Sequence, residues 1–287
     1  MNFDFLESDI GVIKETKKIS LNCYYIEASD KYILKQAVKN IEASYDYLKS
    51  QNVSNIIYPL KKYKVDNNIF LLYPYIEERK YPNDKKIYDL RDSIINVHES
   101  TKILKEVKKN NYKYLYRLYK KLDNKFRILD SFINEIELKE INDDFDWIIL
   151  SKYHIFLDVK KEMYRLQTKI HEDIDKHISI FYCVNHGRPS LSHLVDKSLI
   201  SFEESRFSFL VSDIARFYCI NDYIKIDWYE LINNWLNIYS LPIYKTYFKF
   251  LSLYIFIMNL HICDNGIYNY VEISNHLQRI MVLFSDF

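Results

Sequence analysis

The 287-residue chain is 48% hydrophobic and 28% charged, which is enough apolar material for a sizeable core and argues against an intrinsically disordered protein. Its 40 basic and 39 acidic residues leave a formal net charge of +1, so no overall field attracts nucleic acid or a membrane surface. The four cysteines are far apart in sequence and form no C-x-x-C pair, which indicates neither a zinc site nor a disulfide framework.

Three further features of the sequence bear on where the protein is found. The N-terminus has no basic region followed by an apolar run, so no secretion signal is predicted. The most apolar stretch, residues 250–263, is too short to span a bilayer. Isolated cysteines favour a reducing compartment. We therefore expect a cytoplasmic protein without a membrane span.

The first part of the chain has the pattern of an antiparallel sheet. Residues 10–28 are rich in β-branched and aromatic side chains and predict a hairpin, and the segment "KYILKQ" predicts a third strand directly after it. Residues 37–52 have apolar side chains at helical spacing, namely Val38, Ile41, Tyr45 and Leu48. Two more apolar runs, on either side of a polar turn at residues 66–68, predict a second hairpin. Residues 1–76 should therefore form a sheet with one helix.

The remainder of the chain, residues 77–287, has mainly helical periodicity. Only residues 180–205 return to a hairpin-like pattern of short apolar runs. Long helices are predicted over three stretches: 101–136, 151–173 and 242–265.

Charge is unevenly distributed along the first of these helices. Residues 102–127 contain ten Lys or Arg but only two acidic residues, whereas residues 130–146 contain seven Asp or Glu against Lys139. The simplest interpretation is a solvated helix face next to an acidic loop. A docking surface for an acidic partner is the alternative.

One segment, "FYCVNHGRPSLSHLVDKSLISFEESRFSFLVSDIARFY", carries the most informative motif. It has an apolar strand that leads into His186-Gly187, a short loop, a second hairpin and a helix that begins with Asp213-Ile-Ala. This order resembles the aminoglycoside phosphotransferase and choline-kinase group of protein-kinase-like proteins, and within it the spore-coat-associated CotS family. The family pattern is His-Gly-Asp, four variable residues, Asn, then Asp-Phe-Asp/Glu/Gly, and later Asp-Leu-Ala.

The resemblance extends to the first half of the chain. It implies that Lys35 corresponds to the phosphate-binding lysine and that Glu42 on the next helix is its ion-pair partner. It also implies an α+β, bilobal protein-kinase-like fold. A small antiparallel-sheet N-lobe (residues 1–76) would precede a mostly helical C-lobe (residues 77–287).

The positions that would carry the chemistry depart from the family pattern. Arg188 stands at the position of the catalytic base, His193 at that of a metal-binding Asn, and Ser201 at that of the metal-binding Asp. Phosphoryl transfer needs a carboxylate to orient the nucleophile and oxygen ligands for magnesium, and arginine cannot accept a proton near neutral pH. Glu203 and Glu204 are close in sequence, but a carboxylate displaced by two positions is expected to point elsewhere.

The three residues that match the family are His186, Gly187 and Asp213, and the resemblance implies that they lie together in a structural role. No intact catalytic residue, metal site or cofactor is predicted. The chain is accordingly interpreted as a catalytically inactive kinase-like protein that acts as a scaffold for other proteins, including spore-coat components, with weak nucleotide binding or none. Two alternatives remain: a small-molecule phosphotransferase with atypical metal ligands, and a nucleotide-sensing regulator.

Overall fold

The computed structural model describes residues 3–37, 41–107, 109–176, 179–263 and 265–287, without the side chains of residues 109–112 and 285–286. The chain divides into two compact units. The first contains Met1–Lys102 and Cys183–Ser208, and the second contains Ile103–Tyr182 and Phe209–Phe287. The first unit therefore combines the sheet-forming part of the chain with the segment that carries the predicted catalytic motif.

The first unit is built on a five-stranded sheet with the strand order β1-β2-β3-β5-β4 and antiparallel neighbours. Its strands and helices have the following bounds: α1 (Glu7–Ile10), β1 (Glu15–Ser20), β2 (Cys23–Glu27), β3 (Lys31–Gln36), α2 (Ile41–Ser50), β4 (Lys61–Val65), β5 (Asn68–Pro74) and α3 (Asn83–Thr101). Both predicted hairpins are confirmed, because β1 pairs with β2 and β4 pairs with β5. The predicted helix between them is α2, and Val38 of that prediction lies outside the described residues.

Register places Lys35 at the centre of this sheet. In β3 it lies opposite Cys23 of β2 on one side and opposite Leu71 of β5 on the other. A core of Leu6, Ile26, Leu34 and Phe70 packs beneath the sheet, each side chain at most 2% exposed. Apolar burial of this kind is the main stabilising contribution to the unit.

The second unit is mainly helical. Its helices and strands, with the strands that lead into and out of the motif segment, have these bounds: β6 (Ile103–Glu106), α4 (Lys109–Glu137), α5 (Asp144–Ser151), α6 (Tyr153–Asp175), β7 (Ser179–Asn185), β8 (Leu194–Val195), β9 (Ser198–Leu199), β10 (Arg206–Phe209), α7 (Val211–Asn221), α8 (Trp228–Asn237), α9 (Ile243–Asn259) and α10 (Gly266–Asp286). No helix in the described ranges is long and apolar enough to cross a membrane.

Three sequence-based boundaries in this part of the chain were wrong. Residues 103–106 are a strand rather than the start of a helix, because Ile103 and its neighbours pair antiparallel with residues 179–182 of β7. The acidic stretch contains helix α5, whose start is fixed by a capping box between Asp143 and Asp146. Gly266 begins helix α10 after the Asn265 cap, so it does not terminate the preceding helix.

Candidate functional site

The predicted catalytic loop begins where strand β7 ends, at Asn185 and His186, both of which are buried. The Asn185 side-chain amide donates to Ser208 at its backbone oxygen (3.0 Å) and at its hydroxyl (2.8 Å). His186 Nε2 lies 2.8 Å from the carbonyl oxygen of Ile200, and its Nδ1 accepts from the backbone N–H of Arg188 at 3.3 Å. This pattern assigns the imidazole proton to Nε2. The histidine therefore fixes the shape of the loop.

Gly187 makes the tightest packing contact in this loop. Its φ of +86° lies in the left-handed region, where L-residues with a side chain are strained. A Cβ atom at this position would lie 2.2 Å from the backbone oxygen of Glu204. Glycine is therefore required both by conformation and by space, and it lets the loop contact the turn that contains Glu203.

A short hairpin positions that turn. Strands β8 and β9 are joined by Asp196 and Lys197, which both have positive φ, as a two-residue type I′ turn requires. The backbone N–H of Leu199 donates to Asn55 (2.8 Å), and Ile57 donates back to the Leu199 carbonyl (3.0 Å). These hydrogen bonds hold the residues that follow the hairpin against the rest of the first unit.

Lys35 meets the motif directly at this point. Its Nζ donates to Ser201 Oγ at 3.1 Å and forms an ion pair with Glu203, and the two ion-pair side chains are only 28% and 18% exposed. Ser201 adopts the left-handed conformation, with φ 66° and ψ 62°, so the chain turns sharply there and brings Glu203 towards Lys35. The ammonium group of Lys35, which the sequence predicts to bind phosphate, is therefore already bonded to a hydroxyl and a carboxylate.

This arrangement corrects two expectations. Glu42 does not pair with Lys35; it forms an ion pair with Lys62 of β4, at a more exposed position. Glu203 does not point elsewhere, because it is the carboxylate partner of Lys35. Glu42 was expected because the family resemblance implies that the partner of this lysine lies on the helix after its strand. The left-handed backbone of Ser201, which redirects the following residues, has no comparable signal in the sequence.

A pocket of about 440 Å³ lies beside this ion pair, entirely within the first unit. Most of its lining is apolar, and its polar side chains include Lys35, Ser201, Glu203 and Glu78. The apolar and weakly polar remainder comes from the sheet, from the segment after β5 and from the hairpin: Ile19, Cys23, Ile33, Ile57, Tyr73, Pro74, Tyr75, Ile76, Val195 and Ile200. Burial raises the pKa of the Cys23 thiol, so this cysteine is a protonated, unreactive part of the wall at neutral pH.

Arg188 and His193 are the other two residues that the sequence predicts as replacements of catalytic groups. Arg188 is exposed, and its guanidinium lies 4.0 Å from the equally exposed carboxylate of Glu204, a separation that gives little binding energy in water. His193 Nδ1 hydrogen-bonds the Arg188 carbonyl at 2.8 Å. Burial lowers the pKa of His193, and the neighbouring His186 lowers it further, so its imidazole is uncharged at neutral pH.

Asp213 is the remaining residue of the predicted motif. It is fully buried near the start of α7, and its backbone N–H donates to the Leu210 carbonyl at 3.2 Å. It belongs to the second unit, whereas His186 and Gly187 belong to the first. Its grouping with those two residues stays a prediction.

The geometry can be compared with that of solved structures. An aminoglycoside phosphotransferase from Alicyclobacillus acidocaldarius is similar with a TM-score of 0.65 and 10% identity, over 95% of this chain and 91% of that chain. A choline/ethanolamine kinase family protein from Mesorhizobium loti is similar with a TM-score of 0.54 and 13% identity, over 94% and 88%. The chain has the protein-kinase-like fold. The predicted α+β fold class and the resemblance to this group of kinase-like folds are thereby confirmed.

Identities this low establish the fold alone. No protein-family model matches the sequence, and no curated protein matches it. The narrower resemblance to the CotS family stays a prediction.

The kinase-like fold implies a nucleotide with magnesium, and the residues present do not fit that group. Magnesium takes oxygen ligands, usually carboxylates, whereas the residues that the sequence resemblance predicts at the ligand positions are His193 and Ser201. The hydroxyl of Ser201 and the nearby carboxylate of Glu203 already contact Lys35. Among the described side chains, no three His, Cys, Asp or Glu residues are grouped so that they could hold a metal ion.

Proposed function

We propose that this protein is a catalytically inactive kinase-like protein that acts as a scaffold or binding protein. The observation that carries the proposal is the ion pair between Lys35 and Glu203. A phosphate group would have to displace a carboxylate from Lys35 and would then lie beside that negative charge. Arg188 stands at the predicted position of the general base. Its guanidinium can attract a phosphate, but it cannot take a proton from a hydroxyl.

Protein partners and an association with the spore coat are parts of this proposal that rest on the sequence resemblance, and a cytoplasmic location rests on the isolated cysteines and the lack of a predicted secretion signal. They predict that substitutions which remove chemistry leave the biological role intact. In the organism that carries the gene, an allele with Lys35→Ala should therefore support the same phenotype as the unmodified allele. A fluorescent fusion would show whether the protein is in the cytoplasm or in the coat.

The absence of phosphoryl transfer is tested with the purified chain. We expect no magnesium-dependent turnover of ATP with sugars, aminoglycosides, choline or protein hydroxyls. The combined variant Arg188→Asp, His193→Asn and Ser201→Asp restores the family residues, and turnover by this variant alone would support a degenerate kinase. Magnesium-dependent ATP hydrolysis by the unmodified chain, abolished by Lys35→Ala, would contradict the proposal.

Glu203 supports one alternative, a small-molecule phosphotransferase with atypical ligands, because a carboxylate does lie in the pocket. A thermal-shift series with ATP, ADP and GTP, each with and without magnesium, separates the alternatives. The inactive scaffold predicts small shifts that are indifferent to magnesium and decrease with salt. A nucleotide-sensing regulator predicts a large shift without magnesium and no turnover. A large shift that requires magnesium and is lost in Glu203→Gln would favour the phosphotransferase.

A further inference from the structure

One face of helix α4, in the second unit, combines cations with aromatic side chains. Two adjoining pockets of about 520 and 540 Å³ lie along it and share Lys120 and Asn124. We call this surface the basic groove and define it by Tyr116, Arg117, Tyr119, Lys120, Lys121 and Arg127.

The four cations of the basic groove are exposed, and none of them forms an ion pair among the side chains that the structure describes. The acidic residue in the groove, Asp123, accepts a hydrogen bond from Tyr164 at 3.0 Å. The groove therefore has a positive charge that is not neutralised locally, and it favours an acidic partner.

Aromatic residues form the floor and the rim of the same surface. Tyr119 is 5% exposed and packs against Phe250, and its hydroxyl has no hydrogen-bond partner among the described residues. Tyr116, by contrast, is 67% exposed. Tyrosine and arginine are the residues that most often dominate binding energy at protein interfaces. The composition therefore indicates a protein-binding surface.

A surface of opposite character lies beyond the C-terminal end of the same helix. Leu138, Ile141 and Trp147 are 83%, 87% and 61% exposed. Exposed carboxylates alternate with them, and those of Glu140 and Asp144 have no cationic partner in the described part of the chain. We call this surface the acidic ridge and define it by Leu138, Glu140, Ile141, Asp144 and Trp147. Exposed apolar side chains grouped in this way mark an interaction site.

The acidic ridge is held rigidly. Lys139 bonds both oxygens of the Asp146 carboxylate at 2.8 Å, and the capping box of Asp143 and Asp146 fixes the start of α5. Phe145 packs against Tyr270 of α10 with their ring centroids 5.7 Å apart. A surface that is already ordered loses little conformational entropy when it binds.

The groove and the ridge cannot meet within one molecule. Since an α-helix rises about 1.5 Å per residue, the part of α4 from Lys120 to Glu137 separates them by about 25 Å. A second copy of the chain can bring them together. The indole of Trp147 would then lie among the cations of the groove, and tryptophan is the most favourable aromatic partner for Lys and Arg. The carboxylates of the ridge would form ion pairs with the cations of the groove.

We infer that this protein self-associates head to tail, the acidic ridge of one copy docking in the basic groove of the next. Such a contact uses two different surfaces, so each copy still has one free groove and one free ridge after pairing. Association therefore continues into open chains or closes into a ring. This contact gives the proposed scaffold a surface for a partner. Its biological meaning rests on the proposed function, but the physical contact does not.

The test uses two variants of the whole chain, each altered on one surface. Lys120→Glu with Arg127→Glu destroys the groove, and Glu140→Gln with Trp147→Ala destroys the ridge. All four residues are exposed, and circular dichroism with urea unfolding checks that each variant folds. Lys225→Glu with Lys245→Glu has the same change in charge as the groove variant, at two other exposed positions, and is the matched control.

Sedimentation velocity at low salt should show concentration-dependent oligomers for the unmodified chain and for the control. Each single-surface variant should associate at least roughly tenfold more weakly. An equimolar mixture of the two variants should form a 1:1 dimer and nothing larger, because one retains its ridge and the other its groove. High salt should dissociate all of these species.

Three outcomes would overturn the inference. They are an unmodified chain that stays monomeric at every concentration in low salt, a groove variant that associates as strongly as the control, and a mixture of the two variants that stays monomeric. No nucleotide is present in these measurements. Failure here therefore leaves the proposal of catalytic inactivity unaffected, and turnover in the kinase assays would leave the self-association unaffected.

Discussion

Cations in the pocket of the first unit and in the basic groove of the second have opposite surroundings. Lys35 is partly buried, with 28% of its side chain exposed, and contacts both Ser201 and Glu203. Lys120 and Arg127 are exposed and have no carboxylate partner among the described side chains. A buried cation must be paired to be tolerated, and once paired it is a weak ligand for an anion. An exposed cation needs no partner and stays available. Binding is therefore expected at the groove rather than at the pocket.

The largest expected effect concerns the packing that closes the loop around the pocket. Gly187→Ala should destabilise the protein by about 4 kcal/mol or more, because strained backbone is combined with a clash against the Glu204 backbone. Urea unfolding measures the change. Gly11 also has a positive φ, but a Cβ there meets only Ser29 at 3.9 Å. Gly11→Ala should therefore lose about 1–3 kcal/mol through backbone strain alone. Equal losses of unfolding free energy in the two variants would show that the Glu204 backbone does not exclude a side chain at position 187.

A smaller effect is expected for the pairing of Lys35. A double-mutant cycle with Lys35→Met and Glu203→Gln should give a coupling free energy of about 1–2 kcal/mol, since both groups are mostly shielded from water. The matched cycle for Lys62 and Glu42, which are 48% and 36% exposed, should give about 0.5 kcal/mol or less. The two cycles are compared by urea unfolding in the same buffer. A stronger coupling for the exposed pair would remove the basis for calling Lys35 neutralised.

His193 provides a pH-dependent test of the same region. Its pKa is lowered in the folded protein, so at acid pH the unfolded chain binds a proton that the folded chain resists. The contribution of the neutral His193 side chain to the free energy of unfolding is therefore complete above the unfolded pKa of about 6.5, and it is lost as the pH falls below that value. His193→Asn keeps a donor for the Arg188 carbonyl but cannot titrate. Its melting temperature should decrease less between neutral and mildly acid pH than that of the unmodified chain. Parallel pH curves would contradict the assignment.

The smallest expected effect is on the groove. Lys120→Ala and Arg127→Ala should each change the free energy of unfolding by less than about 0.5 kcal/mol, because unpaired surface cations contribute little to stability. The measurement is made at high salt, where self-association does not contribute. A loss above about 1 kcal/mol would mean that these side chains have a structural partner within the chain.

The sequence determined the main elements of this fold. Runs of β-branched and aromatic residues predicted the first hairpin, and two apolar runs around a polar turn predicted the second. The turn between β4 and β5 was located correctly. These features depend on local periodicity and turn chemistry, which a sequence displays directly. The order of the strands, the motif and the helices indicated the kinase-like fold. That Arg188, His193 and Ser201 replace catalytic residues stays a prediction from the resemblance.

Contacts between residues that are far apart in the chain could not be predicted from the sequence. Strand β6 forms because residues 103–106 pair with β7, more than seventy residues later in the chain. The exchange of Glu42 for Glu203 as the partner of Lys35 depends on a single left-handed residue, Ser201, which redirects the chain. Local propensity carries no information about which distant group a side chain will meet. The tertiary structure therefore decided what the sequence left open. The lysine expected to bind phosphate pairs with a carboxylate, and four exposed cations on helix α4 have no ion-pair partner among the described side chains.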